Sequence, residues 1–174
     1  MPALRLLSPA RQRNALRCWL AEFTLLPDTD HWAGWDALRD AAADAAPRWR
    51  LAGGELHRAG GRVWWLSGAW LEVVNGVFPW PQASAALVLP ANGAVSLKGL
   101  VPGTLEVRYR QGGETMALPG RGRRDLKRLL NEAGIPSFAR SRLPLLYRDG
   151  ELIAVANLPQ LSAAEVSLVW TPPE

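Results

Sequence analysis

The stretch GRRDLKRLLNEAGIPSFARSRLPLLYRDGELIAVANL, residues 122–158, largely determines how this chain is interpreted. Its first part predicts a helix over about 123–133, because leucines recur there at helical spacing. Gly134 suits the left-handed position that follows a helix, and Pro136 prevents the helix from continuing. The second part predicts two strands joined at the Asp-Gly pair 149–150, a strong signal for a hairpin.

Basic residues concentrate in and around this predicted helix. Between residues 121 and 142 the positive side chains outnumber the negative ones by five, which exceeds the net charge of +4 of the whole chain. Guanidinium and ammonium groups at this density suit phosphate ligands, although a solvated helix face has the same pattern. The candidate phosphate contacts include two residues that share one face of the preceding predicted strand, and they are Arg108, Arg110, Arg121, Arg123, Arg124, Lys127, Arg128, Arg140 and Arg142.

Upstream of this stretch, residues 1–75 predict a small unit of two helices and a sheet. A first helix over about 9–24 begins after Ser8, and a second over about 31–46 ends before a proline. Gly-Gly pairs then separate short apolar runs, which is typical of strands joined by tight turns.

Between this unit and the quoted stretch, prolines predict a connector over residues 76–97 with a short strand at 86–89. Strands at about 95–100 and 104–110 then begin a C-terminal unit, residues 98–174. The predicted fold is therefore α+β with two small domains, an N-terminal helix-helix-β unit and a C-terminal mixed β-sheet unit with a basic helix.

The composition excludes several classes of protein. The 174 residues are 48% hydrophobic and 21% charged, as in globular proteins, and no apolar run has the length of a membrane span. The N-terminus lacks the uninterrupted apolar segment of a secretory signal. A single cysteine and two histidines give neither a disulfide framework nor metal-ligand spacing. We expect a cytoplasmic protein without a metal and without a membrane partner.

Signatures of catalysis are largely absent. The chain has no Walker-type phosphate loop and no G-x-S-x-G elbow, and we name no catalytic residue. Cys18 is expected in the core, and His31 and His57 are expected to be structural or exposed. Acidic residues that repeat four apart are expected to form a solvated face, namely Asp36, Asp40 and Asp44.

The quoted stretch closely resembles the C-terminal domain of bacterial tRNA(Ile)-lysidine synthases, including its Leu-Lys pair, its Ala-Gly-Ile-Pro turn, Arg140, Arg142 and its Pro-Leu-Leu strand. SPARQRNALRCWL at residues 8–20 resembles the start of that family's central substrate-binding region. The matching positions there are Arg11, Asn14, Arg17, Trp19 and Leu20. By this resemblance residues 1–75 would be the substrate-binding domain, and residues 98–174 the tRNA-binding domain.

The resemblance implies an ATP-dependent ligase that adenylylates a cytidine at C2 and attaches lysine to it. The cytidine lies in the CAU anticodon of an isoleucine tRNA. In this family a nucleotide-binding domain carries an S-G-G-x-D-S loop, which this chain does not contain. The resemblance therefore implies that this chain is the tRNA-recognising portion of the enzyme and is inactive alone. It also implies that the C-terminal domain recognises the acceptor stem of the tRNA. ATP with Mg²⁺ and lysine would belong to the catalytic domain of the same protein.

One alternative from a different functional class remains. The chain could be a protein-interaction or structural module with a solvated basic helix, which predicts no preference for tRNA over other polyanions. An independent enzyme fits the residues least.

Overall fold

The chain folds into two compact units that meet in sequence at Leu71 and Glu72. The computed structural model describes residues 2–28, 30–42, 45–163 and 165–173. Helices and antiparallel strands occur in the first unit and in the second, so the predicted α+β class with two small units is confirmed. None of the helices in the described ranges is long and apolar enough to cross a membrane.

The first unit consists of short helices followed by an antiparallel sheet in the order β1-β2-β3. Its elements are α1 Pro2–Arg5, α2 Pro9–Leu20, a 3₁₀ helix Asp30–Trp32, α3 Ala33–Asp40, β1 Arg48–Leu51, β2 Gly54–Ala59, β3 Arg62–Ser67 and a second 3₁₀ helix Gly68–Leu71.

Both main helices of this unit are shorter than predicted. Helix α2 stops at Leu20 because the chain turns there, and the N–H groups of Phe23 and Thr24 both donate to the carbonyl of Leu20, at 2.9 and 3.0 Å. Helix α3 ends at Asp40 rather than near residue 46.

The core of the first unit lies between the helices and one face of the sheet. Apolar side chains from α2, the first 3₁₀ helix, α3, β1 and β2 fill it, including Leu16, Leu20, Trp32, Trp35, Leu38, Trp49 and Leu56. The packing is close at Gly34, where an added Cβ would lie 2.2 Å from Cδ1 of Trp49. A glycine is therefore needed where α3 crosses β1.

The second unit contains antiparallel sheets and two short helices. Its elements are β4 Val77–Pro79, β5 Leu87–Val88, β6 Ala94–Lys98, β7 Leu105–Arg108, β8 Thr115–Leu118, β9 Gly122–Asp125, α4 Leu126–Glu132, α5 Ser137–Arg140, β10 Leu145–Arg148, β11 Glu151–Val155 and β12 Ser167–Thr171. One sheet has the order β11-β10-β7-β4, another has the order β12-β6-β5, and β8 pairs with β9.

Two features of the second unit differ from the sequence prediction. Its named strand pairs in the described ranges are all antiparallel, so the predicted mixed sheet is not found. Residues 76–97, predicted as a connector, belong to the body of the unit, because β4 pairs with β7 and β5 pairs with β6. The prolines did not prevent this, since Pro79 ends a strand at the edge of its sheet.

The predicted basic helix begins later than the sequence suggests. Arg123 and Arg124 lie on β9, where they pair with Ala117 and Met116 of β8, and helix α4 starts only at Leu126. The predicted helix end is confirmed, because Gly134 has a φ of +67° just after α4. The predicted hairpin between β10 and β11 is confirmed as well.

Candidate nucleic-acid interface

The β8–β9 hairpin leads directly into helix α4, and most of the predicted cations lie along this continuous segment. A turn at residues 119–121 reverses the chain, and Gly120 adopts a φ of +70° there. Asp125 then caps α4, since its Oδ1 accepts the N–H of Arg128 at 2.9 Å. The exposed cations of this segment form what we call the basic surface: Arg121, Arg123, Arg124, Lys127 and Arg128.

Two members of the basic surface have no acidic partner. Within the described ranges the exposed side chains of Arg124 and Lys127 form no ion pair and no side-chain hydrogen bond. Neither charge is therefore neutralised by the fold, and both remain available to an anion in solution.

The other members of the basic surface are partly neutralised. Glu132 pairs with Arg121 at 2.8 Å and with Arg128 at 3.4 Å. The hydrogen bond from Arg121 holds the pKa of the Glu132 carboxyl below its ordinary value, so this residue is an anion at neutral pH. Arg123 donates to Glu151 at 3.0 Å and to the hydroxyl of Thr115 at 3.1 Å. These pairs are exposed and therefore weak, so a phosphate can compete for the same guanidinium groups.

Arg108 is half-buried and already has partners within the fold. It pairs with Glu106, and its guanidinium lies over the ring of Tyr147, 4.5 Å from the centroid. Its side chain therefore has little freedom to reach out to a duplex.

Arg110 and Arg140 are also half-buried, and they lie near each other. Arg110 lies 3.5 Å from Glu114, and Arg140 donates from Nε to the carbonyl of Ile135 at 2.7 Å. Burial lowers the pKa of Arg140, and the nearby positive charge of Arg110 lowers it further. Arg110 also lies beyond the end of β7, so it does not share a strand face with Arg108 as predicted.

Arg142 is not part of any exposed surface, in contrast to its predicted role. Its side chain is buried, with the residue 3% exposed, and it donates to the carbonyl of Glu72 at 2.6 Å and to that of Ala91. Burial lowers the pKa of its guanidinium. The Arg142 carbonyl accepts from Asn92 at 2.8 Å, so both ends of the residue brace the core of the second unit.

Sequence reasoning missed one cation that lies near this region. Arg148 lines a cleft of about 350 Å³ together with Arg123 and Glu151, over an apolar floor that includes Leu152. No acidic partner of Arg148 is found in the described part of the chain. Its position immediately before the Asp-Gly turn was a usable signal, because a residue at the mouth of a hairpin is held close to solvent.

Two of the three acidic residues that repeat four apart are paired with arginines. Asp36 contacts Arg39 at 2.9 Å and Arg13 at 3.4 Å, and Asp40 contacts Arg39 at 2.5 Å. The hydrogen bond from Arg39 lowers the pKa of Asp40, which is the opposite of what a general acid needs. Asp44 lies outside the described residues.

The remaining candidates of the first unit form no reactive constellation. Cys18 is exposed rather than buried, because the buried face of α2 carries Gln12, Leu16 and Leu20, and Cys18 falls on the other side. His31 contacts Asp28 at 2.7 Å and His57 contacts Glu55 at 3.0 Å. Among the described residues no group of His, Cys, Asp and Glu is arranged to hold a metal ion.

The comparisons with known proteins match both units. Residues 1–64 match the family model described as the TilS substrate binding domain, and residues 105–168 match the one described as the TilS substrate C-terminal domain. The chain is 60% identical to tRNA(Ile)-lysidine synthase of Pseudomonas putida over 99% of its own length and 41% of that protein.

Other relatives have the same name and the same partial coverage. The identity is 59% to the Pseudomonas aeruginosa protein, with 98% of this chain and 39% of the relative aligned, and 30% to the Escherichia coli O157:H7 protein, with 94% and 42% aligned. The chain thus spans about two fifths of the length of the curated relatives that it matches.

Proposed function

Because this chain belongs to the tRNA(Ile)-lysidine synthase family, we propose that its two units form the tRNA-recognition part of such an enzyme. The substrate is the isoleucine tRNA with a CAU anticodon. In the longer protein, a cytidine of the anticodon is adenylylated at C2 with ATP, and the amine of lysine then displaces AMP to give lysidine. The same proposal implies a cytoplasmic location.

We assign the chemistry of this reaction to sequence that residues 1–174 do not contain. The chain has no S-G-G-x-D-S loop for a pyrophosphate, and its described residues offer no cluster of ligands for Mg²⁺. ATP, Mg²⁺ and lysine are therefore proposed as ligands of a catalytic domain, and this chain is expected to supply RNA binding without turnover.

The observation that carries the proposal is the pair of unpartnered cations Arg124 and Lys127 on the basic surface. Phosphate contacts position an RNA, while shape, 2′-hydroxyls and a few base edges select among RNAs. Arg121, Arg123 and Arg128 would join these contacts once RNA phosphates compete with their exposed carboxylate partners. Arg148 adds a further cation beside Arg123 in the cleft that these two residues line.

The proposal is tested by titrating the protein with the unmodified CAU tRNA at several salt concentrations, beside another tRNA and duplex DNA. Selective binding whose affinity falls with salt supports recognition through phosphates. Equal binding to every polyanion would favour an interaction module with a solvated basic helix instead. Absence of tRNA binding would refute the proposal for this chain.

A double charge reversal, Arg124→Glu with Lys127→Glu, locates the contact surface. We expect the dependence of log affinity on log salt to become shallower by about 2, about 1 for each lost phosphate contact. Lys127→Glu alone is compared with Lys98→Glu as the matched control, because each reverses the charge of one exposed lysine of the second unit and Lys98 lies on β6. If both variants weaken binding equally, the attraction is one of net charge and the assignment to the basic surface is wrong.

A further inference from the structure

The loop that follows β7 forms a small pocket separate from the exposed ion pairs of the basic surface. The pocket has a volume of about 290 Å³, and its lining includes Tyr109, Tyr147, Arg108 and residues 111–114. This volume is close to the lower limit of small-ligand pockets, roughly 300 Å³. It is too small for a helix or a duplex, and it suits a single planar group.

Glu114 is fixed in this pocket by the loop itself. Its Oε1 accepts the N–H groups of Gln111 and Gly112, the latter at 2.7 Å. Gly112 and Gly113 make the turn possible, with φ values of +104° and +81° that residues with a Cβ rarely adopt. The Glu114 side chain is 10% exposed, so a carboxylate is held within the protein rather than in solvent.

The remaining polar atoms around Glu114 lack hydrogen-bond partners. Oε2 of Glu114 lies 3.5 Å from Nε of Arg110, which is beyond a good hydrogen bond. Within the described ranges, Oε2 of Glu114, Nε of Arg110 and Nε of Arg108 are each buried without such a partner. Buried polar atoms of this kind are rare, and the two residues of this set that line the pocket, Glu114 and Arg108, supply one such acceptor and one such donor.

Arg108 is held at the wall of the pocket by its neighbours. Its guanidinium stacks on Tyr147 at 4.5 Å from the ring centroid, and its Nη2 is paired with Glu106. These contacts restrict the side chain, so little conformational entropy is lost when Nε donates to a bound group.

We propose that this pocket binds one unpaired nucleotide of the RNA, with Glu114 accepting from a donor on the base edge and Arg108 donating to an adjacent acceptor. The inference rests on the proposed function, which supplies RNA as the ligand. Base edges carry donors and acceptors side by side, and RNA-binding proteins commonly recognise unpaired bases on these edges. A phosphate is a poorer match because the buried carboxylate repels it.

Glu114→Gln tests this arrangement directly. The amide oxygen can still accept from the loop N–H groups, while an NH₂ donor replaces the second carboxylate oxygen and the negative charge is removed. We expect tRNA binding about tenfold weaker, the usual size of one lost base contact. Glu132→Gln is the matched control, since it also removes a negative charge beside two arginines, and its tRNA binding is expected to be unchanged or tighter.

Arg108→Lys provides a second test that preserves the charge. If Arg108 contacts a base edge, affinity falls while the salt dependence stays that of the wild type, whereas loss of a phosphate contact would make it shallower. Circular dichroism of both pocket variants checks that the fold is intact. If Glu114→Gln does not fold, the affinity of Arg108→Lys for tRNA tests the pocket.

The outcomes separate this inference from the proposed function. Tighter or unchanged binding by a folded Glu114→Gln variant, or a folded Arg108→Lys variant with wild-type affinity, would overturn the nucleotide pocket while leaving tRNA recognition intact. A wild-type chain that binds no tRNA would instead refute the proposed function, and the pocket inference would fail with it.

Discussion

Replacing Arg142 with methionine separates a structural arginine from an RNA-binding one. The side chain is buried in the second unit, where it donates to the carbonyls of Glu72 and Ala91. Methionine keeps most of the apolar stem but removes every donor. Both carbonyls, which are partly buried at these bonds, then lose their charged donor.

The expected loss of stability follows from these contacts. A hydrogen bond from a charged donor contributes about 1.5 to 3 kcal/mol net, and Arg142→Met removes two such bonds. Part of this is offset, because the variant no longer buries a cation, and burial already lowers the pKa of Arg142. We therefore expect the free energy of unfolding of the second unit to fall by about 2 to 4 kcal/mol.

Amide hydrogen exchange measured on β7 and β10 reports this loss, because both strands belong to the second unit. Arg124→Met is the control, since replacing an exposed arginine is expected to change stability by less than about 0.5 kcal/mol. The salt dependence of tRNA binding by Arg142→Met should remain that of the wild type. Unchanged exchange together with a shallower salt dependence would refute the structural role and return Arg142 to the RNA contacts.

Two further predictions concern backbone strain and pH. Gly93→Ala places a Cβ 2.0 Å from the carbonyl oxygen of Thr171, so it should destabilise the second unit well beyond the roughly 1 to 2 kcal/mol of a left-handed alanine. Gly120→Ala, with nearly the same φ and nothing within 4 Å, should show that smaller loss alone, and equal losses in urea titrations would contradict the clash. Burial opposes ionisation of Glu55, but hydrogen bonds from His57 and a neighbouring arginine outweigh it and lower the pKa of Glu55 below 4.5. Its depressed pKa stabilises the first unit above about pH 4.5, and this stabilisation is lost as the pH falls through the folded-state pKa. Glu55→Gln should therefore destabilise the first unit at pH 7, and the difference from the wild type should disappear in acid. Unfolding followed by tryptophan fluorescence measures both.

Local signals in the sequence were sufficient where the structure depends on neighbouring residues. The β10–β11 hairpin follows from the Asp-Gly pair, and the end of α4 follows from Gly134, because φ > 0 is required at these points. The start of α4 was wrong by three residues although Asp125 is a suitable cap. Pairing of Arg123 and Arg124 with β8 overrides the helical pattern, and sequence periodicity does not register a tertiary partner.

Sequence reasoning was weakest where contacts join distant residues. Arg142 is basic and follows a turn, which predicts exposure, but its acceptors are the carbonyls of Glu72 and Ala91, far away in the chain. The prediction of a connector at 76–97 was wrong for the same reason, because β4 pairs with β7 and β5 with β6. The basic surface was predicted from charge density alone, because its cations are close together in the sequence.

The pairing of β12 with β6 has a consequence for synthesis on the ribosome. In the first unit the sheet closes between near neighbours, as Arg48 pairs with His57, so that unit can fold soon after its last strand emerges. In the second unit Ala94 pairs with Thr171, so the sheet of β5, β6 and β12 cannot be completed until residue 171 has been synthesised. During that interval β6 exposes an unpaired edge, at which the second unit is prone to aggregate.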